Sequence, residues 1–349
     1  MKKLLLSLGL FAVVFVTVLS QMHAQSSFLQ RLCLTLYQRT VTAFNQYKMG
    51  TQAPFTDKII NIVPAEELFE TQLKNYIPAH KHHIVVVIPS YNNAQWYERN
   101  LASVFGQDYD NFSVVYTDDA SPDGTGELVR KCLHSRSFTP AGRPSTSSGG
   151  AGVEEWVKNE TQLRVKLIVN KTNQGACANL YTMIDTLPPD SIVITLDGDD
   201  WLATPSVLSL INKVYNKYDV LLTYGTYQRY PYTGKPSEYC KVLPAHVIEQ
   251  NGFRAYPWVT SQLRTFKASL FQRIQKEDLC YQGAFLKMTY DLGIMFPMLE
   301  MAGKRSLFIP DVLYIYNYAT PINDAKVNYH LQNQLARYIR AKEKYQLLS

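Results

Sequence analysis

Five consecutive apolar residues, Ile84 to Ile88, stand between a histidine pair and Pro89 in "HHIVVVIPSYNN". Strand side chains alternate between two faces, so a strand apolar at every position needs cover on both. That reads as a central parallel strand with helices above and below. The following segments keep the same rhythm. A helical stretch runs over Ala94 to Phe105, and "FSVVYTDDAS" is a second strand ending on Asp118 and Asp119. A helix follows near Thr125 to His134, then a third strand in "RVKLIVN", a helix opening near Gly175, and a fourth strand in "SIVITLD". Strand and helix alternate throughout, which predicts a doubly wound, mostly parallel α/β sheet.

The flanks differ in character. Lys2 and Lys3 precede an uncharged run from Leu4 to Leu19. This fits either a cleaved signal peptide or a membrane anchor over residues 1–24. Lysines ahead of an apolar run favour a cytosolic N-terminus, so an anchor would place the rest across the membrane. Residues 25–80 read as a helical stem, with Phe28, Leu32, Leu36 and Val41 near one face. The main domain spans 81–325, interrupted by a Ser/Gly/Pro-rich mobile loop at 135–152, and 326–349 form a helical tail. "TYDLGIMFPMLEMAG" is helical in spacing but interrupted by Pro297, and "FIPDVLYIYNY" is a late strand.

The net charge of +6 is modest and its Lys and Arg are scattered, so there is no nucleic-acid footprint. Five cysteines without a C-x-x-C pair make a zinc cluster a poor reading.

Chemistry concentrates in "ITLDGDDW", where Asp197, Asp199 and Asp200 crowd behind an apolar strand. Three like charges at a strand end repel unless something offsets them. With Asp118 and Asp119 they fall at the C-terminal ends of strands, the edge where open α/β sheets bind ligands. A hard divalent cation preferring oxygen ligands would offset the charge. A solvated acidic turn or a helix cap is the plainer alternative.

Several segments, taken in order, resemble glycosyltransferase family 2 and its GT-A (Rossmann-like) fold. They are "VVVIPSYNN", "SVFGQDYDNFSVVYTDDASPDGTGELV", "VNKTNQGACANLY", "LDGDDW" and "KMTYDLGIMFPMLEMAG". The resemblance covers roughly residues 83–325. It implies an inverting, metal-dependent transfer from a nucleotide-sugar donor, a UDP-sugar, to a hydroxyl of a glycan, lipid or protein acceptor. It also implies site roles. Asp199 would bind Mn or Mg directly, with Asp197 nearer the ribose and the metal's outer shell. Pro89, Tyr91 and Asn92 would line the base pocket, and Asp118 or Asp119 would accept from the base ring. Asn173 and Gly175 would open a helix toward the diphosphate. That helix lacks the family's basic residue, and Lys171 is the nearest substitute. Asp291 would be the general base, though it could instead cap its helix. Trp258 and Arg264 could meet acceptor or phosphate, or belong to an ordinary surface helix. A late metal ligand matches none of Asn317, Asn323, Asp324 or His330 cleanly. Two rivals share parts of this pattern: a sugar nucleotidyltransferase and a non-catalytic sugar-nucleotide-binding protein. "PSYNNAQWY" has no glycine for the former's phosphate loop.

Overall fold

The computed structural model describes residues 64–135, 139–140, 153–158, 164–232, 236–320 and 328–348. The chain divides between Thr56 and Asp57, and every described residue belongs to the second unit. The expected signal or anchor, most of the stem and almost all of the 135–152 loop lie outside the described residues. Among the described residues, no helix is long and apolar enough to cross a membrane.

The first half alternates as expected: β1 (Ile84–Ser90), α2 (Tyr97–Phe105), β2 (Phe112–Asp118) and α3 (Thr125–Ser135) follow a short helix α1 (Phe69–Gln72). Then come β3 (Thr139–Pro140), β4 (Val153–Lys158), β5 (Arg164–Val169), α4 (Ala176–Asp185) and β6 (Ile192–Thr195). The second half holds β7 (Trp201–Leu202), α5 (Val207–Lys217), β8 (Leu222–Tyr230), α6 (Ala245–Glu249), β9 (Ser261–Lys267) and α7 (Ala268–Phe271). A hairpin β10 (Cys280–Tyr281) and β11 (Ala284–Phe285) precedes α8 (Tyr290–Ala302), β12 (Ser306–Asn317) and α9 (Tyr329–Ala341).

The main sheet runs β3-β4-β5-β2-β1-β6-β9-β8-β12-β7. β5, β2, β1 and β6 are parallel neighbours, as are β8 and β12, while β9 runs antiparallel between β6 and β8. The both-sided apolarity of β1 has its predicted cause. Ile84, Val86 and Ile88 enter one core with Leu101 of α2, Val129 of α3 and Ile211 of α5. Val85 and Val87 enter the other with Leu180 of α4 and Met295 of α8. Each fully buried aliphatic of this kind contributes about 1.5–3 kcal/mol.

Five differences from the sequence reading have physical reasons. β1 does not stop at Pro89 but continues to Ser90, paired with Asp118. α8 runs unbroken through Pro297, because nearly every side chain around it is buried and packing outweighs the lost bond of about 3 kcal/mol. "SQLRTFK" is strand β9, not a surface helix, since its backbone is claimed by neighbours on both sides, Thr265 and Phe266 pairing with β6 and with β8. The domain also begins upstream of residue 81. Asp311, at the irregularity in β12, accepts from the Phe69 and Glu70 backbone N–H groups and so caps α1. The C-terminal tail is likewise part of the domain. Arg254 pairs with Glu300 of α8 through two nitrogens and donates to the Ile339 carbonyl of α9, while Tyr345 N–H donates to Glu300.

Candidate functional site

Because β1, β2, β5 and β6 are parallel, the turns that follow them meet at one edge. The turn after β1 is closed from within. Asn92 N–H donates to Ser121 Oγ, Asn93 N–H to Thr125 Oγ1, and Ala94 N–H to Asp123 Oδ2. "SPDGT" is therefore a clasp that satisfies three successive backbone donors. Burial pushes the Asp123 carboxyl up, but the bonds from Thr125 and Ala94 outweigh it and hold it below its usual value. Asn92 sits at φ 57, and the Tyr91 ring beside it is exposed. Pro89 is buried in β1 and accepts from Gly198 N–H.

Asp118 and Asp119 have separate tasks. Asp119 reaches across to the loop before α4. Its Oδ1 accepts from Gln174 N–H and Asn170 Nδ2, and its Oδ2 from Gly175 N–H, each at 2.8 Å. Asp119 thus fixes the N-terminus of α4, where Gly175 adopts φ 85 and Asn173 Nδ2 donates to the Asp119 carbonyl. Asp118 is buried against Gly126, where a Cβ would fall 2.8 Å from Oδ2. Burial raises its carboxyl above the usual range, and its Oδ1 has no hydrogen-bond partner. Beside α4 lies a cavity of about 270 Å³ lined by Thr117, Asn170, Lys171, Gln174 and Asn179, so Lys171 does stand at this helix end.

The acidic turn sorts its three carboxylates. Asp200 is 1% exposed and fully engaged: Tyr314 Oη donates to Oδ2 at 2.5 Å and Asn317 N–H to Oδ1 at 2.7 Å. Burial, then the charges of Asp199 and Asp197, push its carboxyl well above the usual value. Asp197 and Asp199 are partly exposed at the edge. Burial also raises Asp199, with the nearby Thr320 hydroxyl opposing it. Gly198 between them is obligatory for packing. A Cβ there would lie 2.5 Å from Ser90 Oγ and 2.7 Å from Asn93 Nδ2.

Asp291 lies one strand beyond. It is the second residue of α8, whose capping position is Thr289 at φ 55, with no side-chain cap. Asp291 is therefore not the N-cap. Its carboxylate instead faces Arg264 of β9 at 3.5 Å. Trp258 brackets the same guanidinium at 6.0 Å and packs edge-on against Phe296 of α8. Thr265 pairs with Ile194, so Arg264 stands level with Thr195, two residues before Asp197. Buried polar atoms without partners recur on this side: Thr117 Oγ1, Asn179 Nδ2, Thr195 Oγ1, Arg264 Nε and Thr289 Oγ1. Buried polar atoms are normally bonded, so such a set suits a polar ligand.

Among the described residues, no group of three or more His, Cys, Asp and Glu side chains is arranged to hold a metal. Two carboxylates alone would leave most of a hard cation's shell to donor phosphates and water, a pattern ordinary for Mg²⁺. Of the late-ligand candidates, Asn323 and Asp324 lie outside the described residues, and the Asn317 side chain accepts from Ala319 N–H. His330 sits exposed at the start of α9.

Sequence reasoning missed Asn100 and Tyr314, and weighed Asn317 only as a metal ligand; all three hold the acidic turn. Asn100 and Tyr314 lie about a hundred residues from it in either direction, and no local spacing could have marked them.

Residues 85–139 match the Glycosyl transferase family 2 profile. An uncharacterized glycosyltransferase of Haemophilus influenzae is 23% identical over 144 residues, covering 41% of this chain and 46% of that protein. Glycosyltransferase GlyA of Streptococcus pneumoniae is 21% identical over 205 residues, 55% of this chain and 25% of that one. The chain thus spans less than half the length of these curated relatives. The crystal structure of S. aureus TarS 1–349 in complex with UDP-GlcNAc superposes with a TM-score of 0.50 at 17% identity. It covers 74% of this chain and 65% of that one. These matches bear out the resemblance: the fold is GT-A. The chain carries the glycosyltransferase family 2 signature along β1, α2, β2 and α3.

Proposed function

We propose that this chain transfers a sugar from a nucleotide-diphosphate donor, a UDP-sugar, to an acceptor hydroxyl with inversion. The observation that carries the reading is the sorting of the acidic turn. Asp200 is locked inside, while Asp197 and Asp199 are presented at the ligand-binding edge with Asp291 one strand away. Asp199 and Asp197 would hold Mn²⁺ or Mg²⁺, with Asp197 also near the ribose. The bound cation would offset charge on the departing diphosphate. Tyr91, Asn92 and Pro89 would border the base, with the unpartnered Asp118 Oδ1 turned to it. Asn173 and Gly175, at the N-terminus of α4 that Asp119 holds, would face phosphate. Asp291 would take the acceptor hydroxyl's proton as the new C–O bond forms, passing through an oxocarbenium-like state. Arg264 and Trp258 would keep that carboxylate oriented toward the acceptor, a hydroxyl of a glycan, lipid or protein. The N-terminal apolar run would bring the chain to a membrane, as an anchor or as a cleaved export signal.

The nucleotidyltransferase alternative fits less well. That chemistry needs free backbone donors after the first strand, and here all three are taken by Ser121, Thr125 and Asp123. Thermal-shift titration with UDP-, GDP- and CMP-sugars, with Mn²⁺ or with EDTA, tests the proposal. Binding to the native state raises Tm by mass action. A Mn²⁺-dependent shift with one nucleotide sugar supports the reading. No shift with any of them, or the same shift in EDTA, refutes metal-dependent donor binding.

A further inference from the structure

The acidic turn is spanned by one side chain that no motif contains. Asn100, in the middle of α2, is wholly buried. Its Nδ2 donates to the Asp197 carbonyl at 2.9 Å and to the Asp200 carbonyl at 2.8 Å. Both partners are acceptors, so the amide orientation is fixed by its surroundings. One amide thus ties the two ends of the four-residue turn, alongside the turn's own bond from Asp200 N–H to the Asp197 carbonyl. The rest of α2 and the turn after it hold the chain onward from there. Ser103 Oγ accepts from Leu202 N–H, and Gln107 donates to the Thr204 carbonyl and accepts from Leu208 N–H. Between these bonds the Arg99 guanidinium lies 3.7 Å from the Trp201 ring and 4.7 Å from the Tyr230 ring. The segment from Asp197 to Leu208 is held by Asn100 and Ser103 of α2 and by Gln107 just beyond its C-terminus.

From this geometry we infer that Asn100 is a positioning residue: it sets the separation and aim of the Asp197 and Asp199 carboxylates. The inference rests on the reading of those carboxylates as a cation site. Asp200 is held from the other side by Tyr314 and Asn317, and Tyr314 also touches Asp197 at 3.3–3.4 Å, while Asn100 is the side chain that joins the two carbonyls of the turn. Losing its two bonds removes the tie between the Asp197 and Asp200 carbonyls while leaving the carboxylates chemically intact. Cation binding should then weaken although no ligand residue has changed, because ligand geometry must be held tightly to be effective.

Terbium(III) luminescence provides a geometric readout on the full chain. The ion prefers oxygen, and Trp201 and Tyr314 stand beside the turn to sensitise it. Emission lifetimes in H₂O and D₂O count the waters left on the ion. The expected result has three parts. Wild type binds Tb³⁺ and releases it to Mn²⁺, and Asp199→Asn loses the signal. Asn100→Leu, similar in volume but without a donor, binds at least 10-fold more weakly, with a shorter lifetime in H₂O. If Asn100→Leu does not fold, Asn100→Ser, which keeps a single hydroxyl, carries the same comparison. Wild-type affinity and lifetime in the folded Asn100 variant, with Asp199→Asn silent, would overturn the positioning role and leave the cation site standing. If wild type and Asp199→Asn bind alike, the cation site itself fails and the inference with it.

Discussion

Gly198→Ala is the smallest change that should disturb the site most. The added Cβ would lie 2.5 Å from Ser90 Oγ, 2.6 Å from Ser90 Cβ and 2.7 Å from Asn93 Nδ2. Ordinary carbon contacts begin near ~3.5 Å, so something must move by roughly 1 Å. Ser90 is poorly placed to yield. Its carbonyl accepts from Asp119 N–H, and its hydroxyl accepts from both Tyr116 and Asn93. The turn itself must therefore shift outward, carrying Asp197 and Asp199 with it. Overpacking of this kind costs about 1–3 kcal/mol, a fall of several degrees in Tm for a domain of this size. A displacement near 1 Å also costs about 100-fold in turnover. Calorimetry on Gly198→Ala, Ser90→Gly and the double variant measures the contact directly. Ser90→Gly alone destabilises, since it strips the Tyr116 hydroxyl of its acceptor. In the double variant the new methyl occupies the vacated space, so the two losses should fall short of their sum by about 1 kcal/mol or more. Additive losses, or an unchanged Tm in Gly198→Ala, would refute the packing argument.

Other expectations follow from the same contacts. Glu300→Gln leaves Arg254 buried without its countercharge and should cost about 3–5 kcal/mol, read as a lower Tm with the C-terminal residues released to protease. Asp123 has a lowered carboxyl pKa, so the stability it contributes is present above the ordinary value of 3.8 and lost as pH falls through its folded value. Asp123→Asn should therefore be less stable than wild type near neutrality, with the gap narrowing below pH 3.8 in a Tm-against-pH series; a gap independent of pH contradicts the clasp. Asp119→Ala should release the N-terminus of α4, seen as faster amide exchange at Gln174 and Gly175 with β1 and β2 still protected.

Much of the sheet was legible because apolar runs such as Ile84 to Ile88 can only be satisfied between two layers. The strand β9 was not. Its two apolar residues, Leu263 and Phe266, are three apart among polar neighbours, a helix-like spacing, and only pairing with β6 and β8 decides for a strand. The uninterrupted passage of α8 through Pro297 was hidden for a similar reason, since burial on all sides is a property of the assembled fold. At the site, the Asp197–Asp199 pair and Asp291 stand out in the chain as candidates, and the structure pairs Asp291 with Arg264 of β9, the strand next to β6. The division of labour among acids could not. Asp119 and Asp200 resemble their neighbours in sequence, yet each spends its oxygens on backbone N–H groups or a tyrosine supplied from far along the chain.

The central claim joins a cation-dependent donor site to a single proton acceptor, and product analysis tests both together. With the donor found by thermal shift and Mn²⁺ present, NMR of the transferred sugar should show the opposite anomeric configuration, with nucleotide diphosphate released. Asp291→Asn should keep the donor-induced rise in Tm while turnover falls by about 100-fold or more. Turnover near wild type in Asp291→Asn, or a product that retains the donor's configuration, would contradict the account.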